Sequence, residues 1–135
     1  MKKYILTDFN KDRWVGTIPT TIESALERME GKNTIYGELG HNNGFDEYGH
    51  FDRARMLVQL SNVTHQITDV KYKGGLIEGN VEFLPTNHGK IAKELMERGL
   101  CEFGIRGISY EHEKDGLHIT EIVEIITWDV IPKIK

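Results

Sequence analysis

Cysteine and basic clusters are scarce in this sequence. Its 135 residues include one cysteine, Cys101, which excludes an internal disulfide and any zinc site built from several cysteines, and which fits a reducing cytoplasm. No run of Lys and Arg is longer than two residues, and the formal net charge is −4. We therefore expect neither a nucleic acid nor an anionic membrane surface as a partner.

The N-terminal segment also lacks a long hydrophobic run. Only Tyr4, Ile5 and Leu6 are consecutive apolar residues before Asp8, so we expect no signal peptide and no membrane-spanning helix there. The six histidines show no HExxH or similarly close ligand spacing, and the glycines form neither a GxGxxG motif nor a P-loop. The sequence thus predicts no metal site and no nucleotide or other cofactor.

The residues that are present fit one globular domain over residues 1–135. The chain is 39% hydrophobic, which is enough for a core, and no linker, repeat or low-complexity tract divides it. A first strand is expected at residues 3–8. Apolar residues at helical spacing then predict a helix, with Thr20 or Thr21 as its N-cap and Gly31 as its end. Its buried stripe is expected to contain Ile22, Ala25, Leu26 and Met29.

Glycine turns and alternating residues predict the remaining elements. The pair Gly74-Gly75 predicts a two-residue hairpin between NVTHQITDVKYK and LIEGNVEF. A second helix is expected from a cap at Thr86 or Asn87 to a left-handed stop at Gly99. Two further strands, LCEFGIRGISYEHE and LHITEIVEIITWDVI, flank a KDG turn. These patterns predict an α+β fold, a mostly antiparallel β domain with two helices. The second helix is expected to bury Ile91, Ala92, Leu95 and Met96.

Several short motifs occur in order along nearly the whole chain, from about Asp8 to Asp129. They are DFNKDRW, YGELGHN, NVTHQITDVKYKGGLIEGNVEF and HGKIAKELMERG. In this order they resemble the prohead core proteases of T4-type tailed bacteriophages, a family of capsid-maturation serine peptidases. The resemblance implies a herpesvirus-protease-like fold with a barrel-like β core and two flanking helices. It also implies cleavage of capsid and scaffold proteins.

The sequence departs from this family at the nucleophile. The family has a serine-containing pattern of the type GΦSSRG after the second helix, whereas this chain has EFGIRG. Gly104 and Ile105 therefore stand opposite the two serines. Ser109 is a displaced candidate, but its use requires a shift of four or five residues along the strand, and an odd shift reverses the face of the side chain.

Cys101 is a second displaced candidate. A thiolate beside a histidine can carry out the same acyl chemistry as serine, and cysteine needs less activation. The alternative is an inert core residue, which the nearby apolar residues Leu100, Phe103 and Ile105 favour. We expect the second of these environments, in which the thiol of Cys101 lies in the core together with Leu100 and Phe103.

Two histidines stand at positions that the resemblance makes relevant. His41, in YGELGHN, occupies the general-base position, with Asn42 where the family usually has proline. A histidine there could take a proton from a serine or thiol, or it could be a loop residue that caps a turn. His65 is expected to support the fold or to orient the base. The residues that could accept the other N–H of an imidazole are Asp69, Asp46 and Glu38.

Substrate binding is expected around the Arg-Gly pair of EFGIRG. The resemblance places Arg106 beside the nucleophile, where it could bind a carboxylate or a carbonyl, or it could be a solvated strand residue. Gly104 and Gly107 are expected where bulk is excluded, by a packed helix or by a bound chain. These three residues are our predicted substrate-binding set.

Three functions of different classes follow. The chain could be an active maturation endopeptidase that uses His41 with Cys101 or Ser109, or a protease-like phage protein without peptidase activity that acts in capsid assembly or as a regulatory or inhibitory binding protein. It could also sequester a host factor or a small ligand. Loss of a serine nucleophile costs on the order of a millionfold in turnover, so we favour the second. Its expected partners are capsid or scaffold proteins or a second copy of the chain, in the host cytoplasm or within the prohead.

Overall fold

The computed structural model describes residues 1–29, 34–40 and 48–133. Within these ranges neither of the two longer helices is long and apolar enough to cross a membrane. Three short 3-10 turns lie at residues 12–14, 53–56 and 60–62. The principal elements are β1 (Lys2–Asp8), α1 (Pro19–Met29), β2 (Ile35–Glu38), β3 (Val63–Lys73), β4 (Leu76–Phe83), α2 (Asn87–Glu97), β5 (Cys101–Lys114) and β6 (Leu117–Pro132).

The strands form two sheets that do not close into a barrel. One sheet has the order β1-β4-β3-β2, and the other is the long hairpin of β5 and β6. Every ladder is antiparallel, which confirms the predicted antiparallel core. The barrel-like closure was wrong, because in the described part of the chain β1 pairs only with β4 and β5 pairs only with β6. Closure requires each strand to have two ladder partners.

Both hairpin turns follow the sequence signals. Gly74 and Gly75 have φ values of 62° and 82°, and the strands on either side pair directly, Lys73 with Leu76. Two positive φ values are the signature of a turn that matches the twist of the flanking strands. Asp115 and Gly116 repeat this geometry between β5 and β6, with φ values of 53° and 77°. The two hairpins were therefore predictable from local chemistry.

The first helix begins at least two residues earlier than an N-cap at Thr20 or Thr21 predicts. Pro19 is its first residue, so Thr20 and Thr21 lie inside the first turn, where Thr21 Oγ1 donates to the carbonyl of Ile18 at 2.6 Å. Proline is favoured at this position because its fixed φ suits a helix and no N–H is lost. The predicted stop at Gly31 lies outside the described residues.

The second helix has the predicted ends but a different buried face. Thr86 Oγ1 accepts the N–H of Gly89 at 3.0 Å, and Gly99 has a φ of +71°. Ile91, which we expected to be buried, is exposed, whereas Ala92 is fully buried. A Cβ at Gly89 would overlap the carbonyl of Leu84. The buried, closely packed face of α2 therefore contains Gly89 and Ala92.

One buried cluster joins the two sheets and both helices. Trp128 of β6 lies at its centre, and its indole N–H donates to Thr7 Oγ1 at 2.8 Å. Tyr4 and Phe103 bring β1 and β5 together with ring centroids 5.3 Å apart. This packing fixes the hairpin of β5 and β6 against the four-stranded sheet, and so it positions the residues of the candidate site.

Candidate functional site

A buried charge cluster connects three strands at the Arg-Gly pair. Arg106 of β5 donates from Nε and Nη2 to both carboxylate oxygens of Asp129 on β6, each at 2.8 Å. Its Nη2 also donates to Glu38 Oε2 at the end of β2, at 3.0 Å, and its Nη1 donates to the carbonyl of Met56 at 3.0 Å. The side chains of Arg106 and Asp129 are 2% and 0% exposed. We call these three side chains the Arg106 cluster.

The register of the hairpin explains this cluster. Gly104 pairs with Asp129 and Arg106 pairs with Thr127, so Arg106 and Asp129 are diagonal neighbours on one face. The backbone N–H of Glu38 donates to Asp129 Oδ1 at 2.9 Å, which attaches β2 to the hairpin. Burial by itself lowers the pKa of Arg106, but hydrogen bonds and charge attraction from Asp129 and Glu38 outweigh it and raise the pKa above its ordinary value. The guanidinium therefore stays charged.

The Arg106 cluster contains one residue that the sequence analysis missed. Asp129 is a charged residue within the apolar run TWDVI, and that position was the available signal, since a buried carboxylate requires a partner. Arg106 was predicted to bind substrate. Four of its N–H groups donate to protein acceptors instead, so little of the guanidinium is left for a ligand. A substrate role for Arg106 stays a prediction.

A small pocket lies above the Arg106 cluster. Its volume is about 230 Å³. The backbone N–H of Gly40 donates to Val130 at 2.8 Å, which fixes one side of the pocket. The next residue is His41, the predicted general base, and it lies outside the described residues, as does Asp46. The pocket is lined by Glu38, Leu39, Gly40, Leu57, Gln59, Asn62 and Arg106.

The predicted nucleophile candidates are separated along β5. Cys101 is buried in the core, and burial raises the pKa of its thiol. Its neighbour Leu100 is exposed, so the expectation of a core position for Leu100 was wrong. Ser109 is exposed and lies beyond a register shift, without a hydrogen bond to any described histidine. Gly104 and Ile105, opposite the family's serines, carry no nucleophilic group.

We expect native Cys101 to react slowly with iodoacetamide at neutral pH and quickly in 6–8 M urea, because a buried thiol of raised pKa forms little accessible thiolate. Mass spectrometry of timed samples measures the two rates. A Ser109→Cys variant is the matched control, since its added thiol occupies an exposed position on the same strand and should react in the native state. Rapid labelling of Cys101 in the native protein would contradict a buried thiol with a raised pKa.

His65 lies in the core beneath β2 and β6. Its Nε2 is 2.8 Å from the carbonyl of Trp128, which can only accept, so Nε2 carries the proton. Its Nδ1 then accepts from Thr64 Oγ1 at 2.8 Å. Both ring nitrogens of His65 thus have partners, whereas Asp69 lies at an irregularity farther along β3, with its exposed carboxylate 3.8 Å from Lys71 Nζ. Asp69 therefore does not orient His65.

The folded chain should lose stability as His65 protonates. Burial lowers the pKa of His65, although the carbonyl of Trp128 and the charge of Asp129 act in the opposite direction. Because the folded pKa lies below the unfolded value of about 6.5, the stabilising effect is complete above that pH and is lost as the pH falls below it, by up to about 1.4 kcal/mol per pH unit.

Urea unfolding between pH 7.5 and 5.5 measures this dependence. His65→Gln should flatten the slope. His88→Gln, at an exposed position of α2, should leave the slope unchanged. Equal slopes for all three proteins would show that His65 does not titrate in this way.

A groove runs beside β5. Two cavities of about 330 and 170 Å³ adjoin, because Arg13, Trp14 and Ile105 line both. The first lies between β1 and residues 102–105 of β5, and the second continues towards Ser109. We call these cavities together the β5 groove. The sequence analysis missed the wall formed by Arg13 and Trp14, since nothing local places residues 13–14 beside β5.

Gly107 stands where bulk is excluded, but not for the expected reason. A Cβ there would overlap the carbonyl of Glu124 on the paired strand. The register shifts between Arg106 and Gly107, so the close approach belongs to a β-bulge within the hairpin. Neither a packed helix nor a bound chain is needed to explain this glycine.

Comparisons with known proteins reveal a likeness in fold. No protein-family model matches the sequence, and no curated protein matches it. The fold is similar to that of a phage protease. One solved structure with this likeness is the capsid assembly protease gp21 of bacteriophage T4, with a TM-score of 0.72 over 97% of this chain and 80% of that chain. The sequence identity is 13%, so the likeness concerns the fold alone. Among the described residues no group of three or more His, Cys, Asp or Glu could hold a metal ion.

Proposed function

We propose that this chain is a bacteriophage protein with a prohead-protease fold but without its own peptidase activity, which acts in capsid assembly. It binds an extended segment of a capsid or scaffold protein, in the host cytoplasm or within the prohead. The observation that carries the proposal is the surface of β5, where a groove adjoins two positions, Gly104 and Ile105, that have no nucleophilic side chain.

The unpaired strand edges support binding of an extended chain. In the described residues β1 and β5 each have one ladder partner, and residues of both strands line the first cavity of the β5 groove. A free edge presents backbone N–H and C=O groups that an incoming strand can pair with, while pockets select its side chains. The likeness to a capsid assembly protease suggests the class of partner.

The chemistry of the side chains argues against cleavage. Removal of a serine nucleophile leaves a residual rate on the order of a millionfold below that of the intact enzyme. Cys101 is buried and its pKa is raised, which is the opposite of an activated thiol. Ser109 has an exposed hydroxyl in the groove, but no hydrogen bond joins it to a described histidine.

The experiment has a cleavage arm and a binding arm. The purified chain is incubated with the major capsid and scaffold proteins of the phage genome that encodes it, and with a fluorophosphonate probe. We expect no cleavage and no labelling. In the binding arm, a photo-crosslinking residue at Glu102 should capture one of these two proteins, and Ile105→Asp should reduce capture.

The matched control is Val123→Asp, which places the same charge at an exposed apolar position of β6 that does not line the groove. Circular dichroism verifies that both variants fold. Specific cleavage that is lost in Ser109→Ala or Cys101→Ala would establish an active endopeptidase instead. If the photo-crosslinking residue at Glu102 captured neither the capsid nor the scaffold protein, the β5 groove would be excluded as the binding site.

A further inference from the structure

We propose that the pocket above the Arg106 cluster binds the side chain of a lysine or arginine from a partner protein. The pocket is separate from the β5 groove, and it is defined by Glu38, Leu39, Gly40, Leu57, Gln59, Asn62 and Arg106. Its buried part is charged, and its rim contains two exposed leucines beside the polar residues Gln59 and Asn62. That combination suits a side chain with an aliphatic stem and a cationic end.

Glu38 supplies the negative charge. Its Oε2 accepts from Arg106 Nη2 at 3.0 Å and from the N–H of Gln59 at 3.4 Å. Its Oε1 accepts no hydrogen bond from any described residue. A carboxylate has about four lone-pair sites, so Glu38 retains the capacity to accept from a ligand.

The most exposed charged group of the Arg106 cluster is the carboxylate of Glu38, not the guanidinium of Arg106. Glu38 has 12% of its side chain exposed, against 2% for Arg106 and 0% for Asp129. The cluster itself contains one positive and two negative groups. An entering cation therefore meets Glu38 first, and the cation complements the charge that is closest to solvent.

Two leucines form the apolar part of the rim. Leu39 and Leu57 are 42% and 46% exposed, although large aliphatic side chains are usually buried. They lie beside the charged part of the pocket instead of covering it. The methylene groups of a lysine or arginine would cover these leucines while the charged end reaches Glu38 Oε1. A bare metal ion would gain nothing from such a rim.

Small probes test the pocket without requiring the partner. Titration of the 15N-labelled chain with n-butylguanidinium and n-butylamine should shift the amide resonances of Gly40 and Gln59. Glu38→Gln should weaken binding about tenfold, because a charge-assisted hydrogen bond is lost. Glu82→Gln, at an exposed position of β4, is the matched control and should bind as the unaltered chain does.

A second variant covers the case in which Glu38→Gln fails to fold. Leu57→Ser leaves the Arg106 cluster intact and should weaken n-butylguanidinium several-fold by removing part of the rim. Butyrate, with a similar stem and the opposite charge, should cause no shift at Gly40 or Gln59. Equal shifts with butyrate, or unchanged affinity in Leu57→Ser, would overturn the proposal. Neither result bears on the β5 groove.

Discussion

Replacement of Arg106 by methionine should destabilise the protein by about 3–5 kcal/mol, because the variant leaves Asp129 and Glu38 buried without their cation. Natural domains are stable by about 5–15 kcal/mol, so the loss is a large fraction of the free energy of unfolding and should lower the urea midpoint strongly. Methionine retains much of the volume of the arginine stem, which limits the effect of an added cavity. Urea unfolding followed by circular dichroism measures the change.

The control for Arg106→Met is Arg98→Met. Arg98 lies at the end of α2 and faces Glu94 with Nε 3.4 Å from Oε1, and both side chains are well exposed. An exposed pair of this kind contributes about 0.3–0.5 kcal/mol. The two substitutions remove the same groups, so their difference measures the effect of burial. A loss below about 1 kcal/mol at Arg106 would mean that the Arg106 cluster does not hold the three strands together.

The Arg106 cluster illustrates what the sequence could not provide. Glu38 and Arg106 were both singled out by motif, yet they are 68 positions apart, and their contact depends on how β2 meets the hairpin. Asp129 is 23 positions from Arg106 and joins it only in the observed register. Motif order identifies such residues one by one, whereas their partnership is a property of the tertiary structure.

Local chemistry predicted the elements, and packing decided the rest. The glycine turns, the threonine cap of α2 and the alternating strands act over a few residues, so the sequence was sufficient for them. Barrel closure was wrong because edge pairing is a long-range property. The exposure of Ile91 was missed because helical spacing defines a stripe but does not say which part of it another element covers. Leu100 lies between α2 and β5, where no periodicity indicates which side chains are covered.

Alanine at Gly37 should destabilise the protein by about 3 kcal/mol. Gly37 lies in β2 over the imidazole of His65, and a Cβ there would overlap both His65 Nε2 and the carbonyl of Trp128. These two atoms form a 2.8 Å hydrogen bond with each other. The methyl group would force them apart, which adds the cost of an unsatisfied buried donor and acceptor to that of overpacking.

Gly79→Ala is the matched control for Gly37→Ala, since both glycines lie in strands of the four-stranded sheet. The nearest atoms to a Cβ at Gly79 are Leu6 Cδ1 at 3.0 Å and Ile67 Cγ2 at 3.1 Å. Both contacts are at least 3.0 Å long and involve side chains rather than the backbone, and Leu6 Cδ1 is the end of a flexible side chain that can move by a few tenths of an ångström, so the loss at Gly79 should stay near 1 kcal/mol. Urea midpoints at pH 7.5, where His65 is neutral, provide the comparison. If Gly37→Ala cost no more than Gly79→Ala, the close packing of β2 on His65 and Trp128 would be refuted, because no rearrangement short of separating β2 from β6 makes room for that methyl group.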